Sequence, residues 1–201
     1  MRRTPFLLGA ALTLAGCGGS HAALTTTTHR AATTQLDGAR VPNRIAPPIA
    51  LHDAGGHRVT LASFRGGYTL VTFLYTHCPD VCPLIAANLN QALHLVAARR
   101  HHVNVIAVSV DPSGDTPAAV RAFVREKHLA PQFHYLIGTR AELRPVWVAY
   151  NVTAVAQQAK LVTHVAYTML VDPSGRERLV YDAQVRAGEV AHDLDALLHL
   201  P

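Results

Sequence analysis

The segment that most constrains this chain is an apolar run, Tyr68 to Tyr75, followed closely by two cysteines spaced i, i+4. The run is rich in β-branched and aromatic residues, which is typical of a buried strand. Beyond Pro83, apolar residues recur at the spacing of one helical face, at Ile85, Leu89, Leu93 and Val96. The pattern predicts that Cys78 and Cys82 lie on a strand-to-helix turn, at or just inside the N-terminus of a helix that starts near Leu84.

This placement makes the two thiols reactive. Unpaired backbone N–H groups and the helix dipole stabilise a thiolate at a helix N-terminus and lower its pKa. Residues four apart on a helix lie on one face, with Cβ atoms roughly 5–6 Å apart. Such a pair can close a disulfide with little movement, or it can hold one soft metal ion. A disulfide that closes so short a loop constrains the unfolded chain little, so we interpret Cys78 and Cys82 as a functional pair.

The rest of the chain predicts an α/β domain in which a central mixed sheet carries helices on both faces. A β-hairpin is expected on either side of Asp53–Gly56, and Thr116 with Pro117 predicts the start of a helix. Thr139 and Glu142 predict a capping box for another helix, in which Pro145 predicts a kink or a short break. The remaining predicted elements are strands at Val103–Val110, Phe133–Ile137, Val165–Val171 and Arg178–Tyr181 and a last helix at Glu189–His199.

Three segments together resemble one known family. The run Tyr75–Pro83 looks like the signature of the Sco/SenC family. Two further matches follow in the family's order: Ser109–Pro112 with Asp115–Pro117, and His164 with Leu170–Gly175. The resemblance extends from about Ile49 to Gly175. It implies a thioredoxin-like fold with an N-terminal β-hairpin.

The same resemblance implies a function and a ligand set. Sco/SenC proteins are membrane-attached and implicated in copper delivery to cytochrome c oxidase, so the implied partner is the oxidase subunit that carries the copper A site. The implied ligands of one copper ion per domain are Cys78, Cys82 and His164. Two thiolates and one imidazole suit Cu(I) and can also hold Cu(II). The residue before the family's ligand histidine is often Asp, and here it is Thr163.

Other chemistry at the same residues stays open. As a redox-active catalytic pair, Cys78 and Cys82 would make the protein a thiol–disulfide oxidoreductase that reduces the ligand cysteines of the oxidase. Other copper carriers and thiol reductants are then further partners. A thiol peroxidase is disfavoured because Tyr75 stands where such a site wants Thr. A fourth ligand could come from His77 or Asp80, which are more typical of supporting roles.

Two aspartates near the second matching segment have a simpler interpretation. Asp111 and Asp115 could form a paired-carboxylate acid/base site, but prolines flank the loop that holds them. Aspartate is favoured in such turns because its side chain bonds to nearby backbone N–H groups. We therefore expect turn and capping roles, with a supporting role at the cysteines if the loop lies at their end of the sheet.

The N-terminal region predicts export and anchoring. Residues 1–16 have two arginines, a short apolar run and small residues, as a secretory signal peptide does. Leu14–Cys17 looks like a bacterial lipoprotein cleavage box, with Cys17 as the lipidated residue. Residues 17–43 are rich in Ala and Thr and predict a disordered tether that spans roughly 25–30 Å. The domain is then 44–201, held at the extracytoplasmic face of a bacterial membrane.

The net charge and the distribution of basic residues indicate which classes of partner the protein could bind. The net charge is +5 at pH 7 with 13 histidines counted as neutral. Lysine and arginine do not cluster in runs longer than two, so the sequence lacks the basic footprint of a nucleic-acid-binding protein. A cationic surface favours an anionic membrane or an acidic partner.

Overall fold

A computed structural model of the chain describes residues 35–96, 103–152 and 166–198, all within one compact unit, Thr34–Pro201. The strands are β1 (Ala39–Arg40), β2 (Ala50–Asp53), β3 (Arg58–Thr60), β4 (Tyr68–Leu74), β5 (Val103–Ser109), β6 (Phe133–Ile137), β7 (Thr168–Val171) and β8 (Glu177–Tyr181). The α-helices are α1 (Val81–Leu95), α2 (Pro117–Glu126), α3 (Arg140–Ala149) and α4 (Ala187–Leu198), and a 3₁₀ helix covers Leu61–Phe64.

The strands form one mixed sheet in the order β1-β8-β7-β4-β5-β6-β2-β3. Strand β4 pairs in parallel with β5, which pairs in parallel with β6, whereas the remaining pairs are antiparallel. All seven residues of β4 are buried, as its continuous apolar sequence predicts. The predicted hairpin is β2–β3, and it extends the sheet beyond β6. The order of strands and helices confirms the predicted α/β fold.

Helices cover both faces of the sheet. Tyr135 on β6 packs edge-on against Phe123 of α2, with ring centroids 5.8 Å apart. Phe73 on β4 packs against Tyr150, which ends α3, at 5.4 Å. Phe73 aligns across the sheet with Leu136, the neighbour of Tyr135. Because neighbouring residues of a strand point to opposite faces, α2 and α3 lie on opposite faces.

The predicted helix starts are confirmed. Thr116 precedes α2 and its hydroxyl accepts a hydrogen bond from the backbone of Ala119. Thr139 and Glu142 form both bonds of a capping box at the start of α3. The sequence predicts a kink or a short break at Pro145, and the break does not occur, because α3 runs through the proline. A proline at this position removes one helical hydrogen bond, and the burial of the neighbouring Leu143, Val146 and Trp147 holds the helix together.

Other boundaries differ from the predictions by a few residues. Helix α1 starts at Val81, three residues earlier than predicted, and α4 starts two residues earlier than predicted. The larger correction concerns the predicted tether, 17–43, because β1 lies inside it and pairs with β8. In the described part of the chain the folded domain therefore begins before residue 44.

A buried aspartate explains why β1 is ordered. The carboxylate of Asp193, on α4, is fully buried and accepts hydrogen bonds from the backbone of Asp37 and Gly38, both at 2.8 Å. It also accepts one from the hydroxyl of Tyr181 at 2.9 Å. These bonds fix the entry of the chain into the sheet.

In the described ranges, none of the helices is long and apolar enough to cross a membrane.

Candidate metal and redox site

The two motif cysteines lie where the central strand turns into the first helix. Strand β4 ends at Leu74, and α1 begins at Val81 with Asp80 as the residue before it. Cys78 lies in the turn, and Cys82 is the second residue of the helix. Both are free thiols, and their exposed fractions are 8% and 0%. This is the predicted position, at and just inside a helix N-terminus.

Backbone hydrogen bonds hold the turn so that the two cysteines face each other. The N–H of Cys78 donates to the carbonyl of Tyr75 at 3.3 Å. The N–H of Cys82 donates to the sulfur of Cys78, also at 3.3 Å. A backbone donor aimed at a sulfur favours its ionised form, so this geometry prepares Cys78 to act as a thiolate.

The surroundings of Cys78 lower its pKa. Burial alone would raise the pKa, but a hydrogen bond with the Cys82 thiol and others from backbone N–H groups outweigh that effect. The hydroxyl of Tyr75 adds a further hydrogen bond that acts in the same direction. The same contact helps to raise the pKa of Tyr75 to about 12, although burial of its ring is the larger cause.

Cys82 is shifted the opposite way. Burial is the largest cause and raises its pKa well above the ordinary value, and the hydrogen bond with Cys78 raises it further. Of the two sulfurs, Cys78 is therefore the more easily ionised, and Cys82 is the one that keeps its proton. This is the arrangement of an attacking sulfur with a protected partner, and both sulfurs are soft donors for a metal.

We expect alkylation of Cys78 in the reduced protein to reach half of its maximal rate below about pH 8.5, the ordinary thiol value. The direction follows from the lowered pKa, because only the thiolate reacts. The rate of reaction with iodoacetamide, measured against pH in a Cys17→Ser background, checks it. In the same background Cys78→Ser leaves only Cys82, which should react slowly throughout. A midpoint for Cys78 at or above the ordinary value would contradict the assignment.

A buried carboxylate supports the cysteine turn from the side. Asp115 accepts hydrogen bonds from the backbone N–H and the hydroxyl of Thr76, both at 2.7 Å. Its second oxygen accepts from the hydroxyls of Ser109 at 2.6 Å and Tyr135 at 3.1 Å. The exposed fraction of Asp115 is 3%. The predicted turn role is right for Asp111, which accepts from Ser113 and Gly114. Asp115 has the supporting role at the cysteines that is expected if the loop lies at their end of the sheet, through partners outside its own turn.

The two candidates for a fourth ligand lie at the surface. His77 is exposed, and its Nδ1 is 3.1 Å from the hydroxyl of Thr76. Asp80 is also exposed, and its side chain makes no capping hydrogen bond at the start of α1. Both are neighbours of the cysteine turn in sequence, and the supporting roles expected for them stay predictions.

Two predicted site residues, Cys17 and His164, lie outside the described residues. The described sheet nevertheless defines the neighbourhood of the strand that follows His164 in the sequence. Thr168, the first residue of β7, is aligned with Thr72 near the end of β4, and the strands are antiparallel. The start of β7 therefore lies at the same end of the sheet as the cysteine turn.

A second group of ligand-type side chains has a structural explanation. Asp37, His192 and Asp193 bring one nitrogen and two carboxylate oxygens within 4.8 Å of one another. His192 lies 2.8 Å from the carboxylate of Asp37, and Asp193 already accepts the hydrogen bonds that hold β1. These contacts tie the N-terminal strand to α4.

The fold and the site define a thioredoxin-like protein with two buried free cysteines at a helix start. Residues 37–199 match the SCO1/SenC family. Protein SenC of Rhodobacter capsulatus is 30% identical over 159 residues, which cover 77% of this chain and 71% of SenC. The solved structure of Bradyrhizobium japonicum ScoI with copper bound is 31% identical, with a TM-score of 0.62, and covers 76% of this chain and 99% of ScoI.

A more distant structure shares the fold. BsSco, described as a member of the Sco family of cytochrome c oxidase assembly proteins with a disulfide switch, is 22% identical. Its TM-score is 0.66, and the match covers 83% of this chain and 99% of BsSco. The chain belongs to the SCO1/SenC family, as its motifs predict.

Proposed function

We propose that this protein is a membrane-tethered copper metallochaperone that delivers copper to the copper A site of cytochrome c oxidase during its assembly. The observation that carries the proposal is the facing pair of free thiols, Cys78 and Cys82, at the start of α1. The copper bound in the structure of ScoI, a relative of 31% identity, supports the choice of metal. The description of BsSco as an oxidase assembly protein supports the choice of partner.

The donor set fits copper as cargo. Two sulfur donors suit Cu(I), and an imidazole nitrogen from His164 would complete three-coordination and better accommodate Cu(II). His164 precedes Thr168 by four residues, so their Cα atoms are at most about 14 Å apart. Since Thr168 starts β7 at the cysteine end of the sheet, this limit supports His164 as the third ligand. With Thr163 before it, its other ring nitrogen would bond to a hydroxyl, a carbonyl or water.

A second function has its own supporting observation. The lowered pKa of Cys78 beside the raised pKa of Cys82 is the asymmetry of a dithiol that attacks disulfides. On this alternative the protein would reduce the ligand cysteines of the oxidase before copper arrives. Both functions use the cysteine pair, but only copper transfer needs His164.

Oxidase assembly in a strain that lacks the protein separates the two functions. For copper delivery we expect that neither Cys78→Ser nor His164→Ala restores oxidase activity, whereas the wild-type protein does. An exposed histidine elsewhere, tested as His57→Ala, is the matched control and should restore it. If His164→Ala also restores the oxidase while Cys78→Ser does not, the protein acts as a dithiol reductase.

The tether is a separate part of the proposal. Cys17 ends a segment that looks like a lipoprotein cleavage box, and several acyl chains on one residue would anchor the protein stably, whereas one chain binds only marginally. The described domain enters its sheet at β1, which Asp193 holds in place. The segment that precedes Asp37 would then link the lipid to the domain at the extracytoplasmic face of the membrane.

Cys17→Ser is expected to release the protein from membranes or to stop its processing, because the substituted residue cannot carry the lipid. The measurement is the distribution of the protein between membrane and soluble fractions, with its apparent mass. A neighbouring substitution, Ser20→Ala, keeps the cleavage box and should leave the protein in the membrane fraction. Correctly cleaved Cys17→Ser that still sediments with membranes would mean that another anchor exists.

A further inference from the structure

The most heavily bonded buried carboxylate beside the site is that of Asp115. It accepts four hydrogen bonds at 2.6 to 3.1 Å, two from Thr76, one from Ser109 and one from Tyr135. The donors belong to the cysteine turn, the end of β5 and the middle of β6. One side chain therefore joins three parts of the fold that are separate in sequence.

A charged group in this position has a cost that its partners must offset. Burying a carboxylate without hydrogen bonds is strongly unfavourable, whereas hydrogen bonds to the charged group stabilise it in the folded protein. The charge of Asp115, second in effect to burial, raises the pKa of Tyr135. The network is thus a rigid, fully bonded element.

The hydrogen bonds of Asp115 hold Thr76, which is two residues before Cys78 in the chain. Thr76, whose backbone N–H and hydroxyl both donate to Asp115, is followed by His77 and Cys78. The preceding residue, Tyr75, accepts a hydrogen bond from the backbone N–H of Cys78 at 3.3 Å. Movement of Thr76 would therefore move the hydrogen bond that Tyr75 makes with Cys78.

We propose that Asp115 is a positioning residue for the dithiol: it fixes the turn so that the Cys78 sulfur stays within bonding range of Cys82. The proposal rests on the proposed function in that it takes this pair as the working site. A disulfide requires narrow Cβ–Cβ distances and a specific dihedral angle, whereas two thiols do not. A loosened turn therefore disfavours the disulfide relative to the dithiol.

Asp115→Asn is the sharpest variant, because the side-chain shape is kept. An amide has one acceptor oxygen and one NH₂ donor, so it cannot accept from both Thr76 and the pair of hydroxyls on the other side. Asp193→Asn is the matched control, since Asp193 is also buried and, like Asp115, accepts hydrogen bonds from backbone N–H and from a tyrosine hydroxyl. It bonds to the two residues that precede β1 and to Tyr181 on β8, and its loss should weaken the fold without affecting the cysteine turn.

The test is the equilibrium of the metal-free, full-length protein with reduced and oxidised dithiothreitol, in which two electrons and two protons pass between the reagent and the Cys78–Cys82 pair. We expect Asp115→Asn to shift this equilibrium about tenfold toward the dithiol, or about 30 mV. Asp193→Asn should leave it within about twofold of the wild-type value, or about 9 mV. Both variants should lower the midpoint of urea unfolding.

Thr76→Val gives a second route to the same answer if Asp115→Asn does not fold. It removes the hydroxyl donor and keeps the backbone donor, so a shift in the same direction but smaller than tenfold is expected. The proposal is overturned if Thr76→Val or folded Asp115→Asn matches the wild-type equilibrium, or if Asp193→Asn shifts it equally. The assay contains no metal, so a protein that does not bind copper would still show the shift. Failure of the positioning role of Asp115 can therefore be distinguished from failure of the proposed copper function.

Discussion

Cys82→Ser is expected to lower the affinity of the reduced protein for Cu(I) by about 100-fold or more. Losses of residues that only orient metal ligands cost about 10–100-fold, and Cys82 would be a ligand itself. Serine is close to cysteine in size, and its hard oxygen is a poor donor for Cu(I). The fold should persist, because the substitution keeps the shape of a fully buried side chain.

A competition titration against a Cu(I) chelator measures this loss. Cys17→Ser is the matched control, because it removes the third cysteine of the chain and keeps both motif thiols. The control should bind copper as the wild-type protein does. Copper affinity that survives Cys82→Ser but falls in Cys17→Ser would contradict the assignment of the motif pair as the ligands.

The second large effect is a loss of stability on truncation of Trp147, a buried residue that bonds to the end of β5 next to the site. Trp147 on α3 is 1% exposed, and its indole N–H donates to the carbonyl of Ser109 at 2.9 Å. Trp147→Ala is expected to lower the free energy of unfolding by about 3–5 kcal/mol, the usual cost of removing a large buried aromatic side chain. Ser109 also donates to Asp115, so the loss reaches the network that holds the cysteine turn.

Urea unfolding of Trp147→Ala beside Val148→Ala checks this expectation. Val148 is the next residue of the same helix and is 53% exposed, so its truncation should change the free energy of unfolding by less than about 0.5 kcal/mol. A Trp147→Ala protein as stable as Val148→Ala would mean that α3 does not anchor this end of the sheet.

Features encoded in short segments were predictable from the sequence. The apolar run that becomes β4, the cap at Thr116 and the capping box at Thr139 depend on residues within a few positions of one another. The placement of Cys78 and Cys82 follows from the same local logic, because a strand, a turn and a helix start occur in direct succession. These predictions are confirmed to within about three residues.

What the sequence did not predict depends on partners far apart in the chain. Asp115 contacts Thr76, 39 residues away, and Tyr135, 20 residues away. Its Asp-Thr-Pro context predicts a turn, and the expected support of the cysteines named neither of these partners. The strand β1 lies in a stretch whose composition is typical of a tether. Its order comes from Asp193, about 155 residues away, through backbone bonds that leave no trace in composition.

The most direct test of the central claim is an anaerobic Cu(I) titration of the reduced protein, with His164→Ala beside it. The account predicts one copper ion per wild-type domain and an affinity at least about tenfold lower in His164→Ala, with the Cys78–Cys82 disulfide still fully reducible in both. Unchanged affinity and stoichiometry in His164→Ala would contradict a three-ligand copper site and would favour the dithiol reductase.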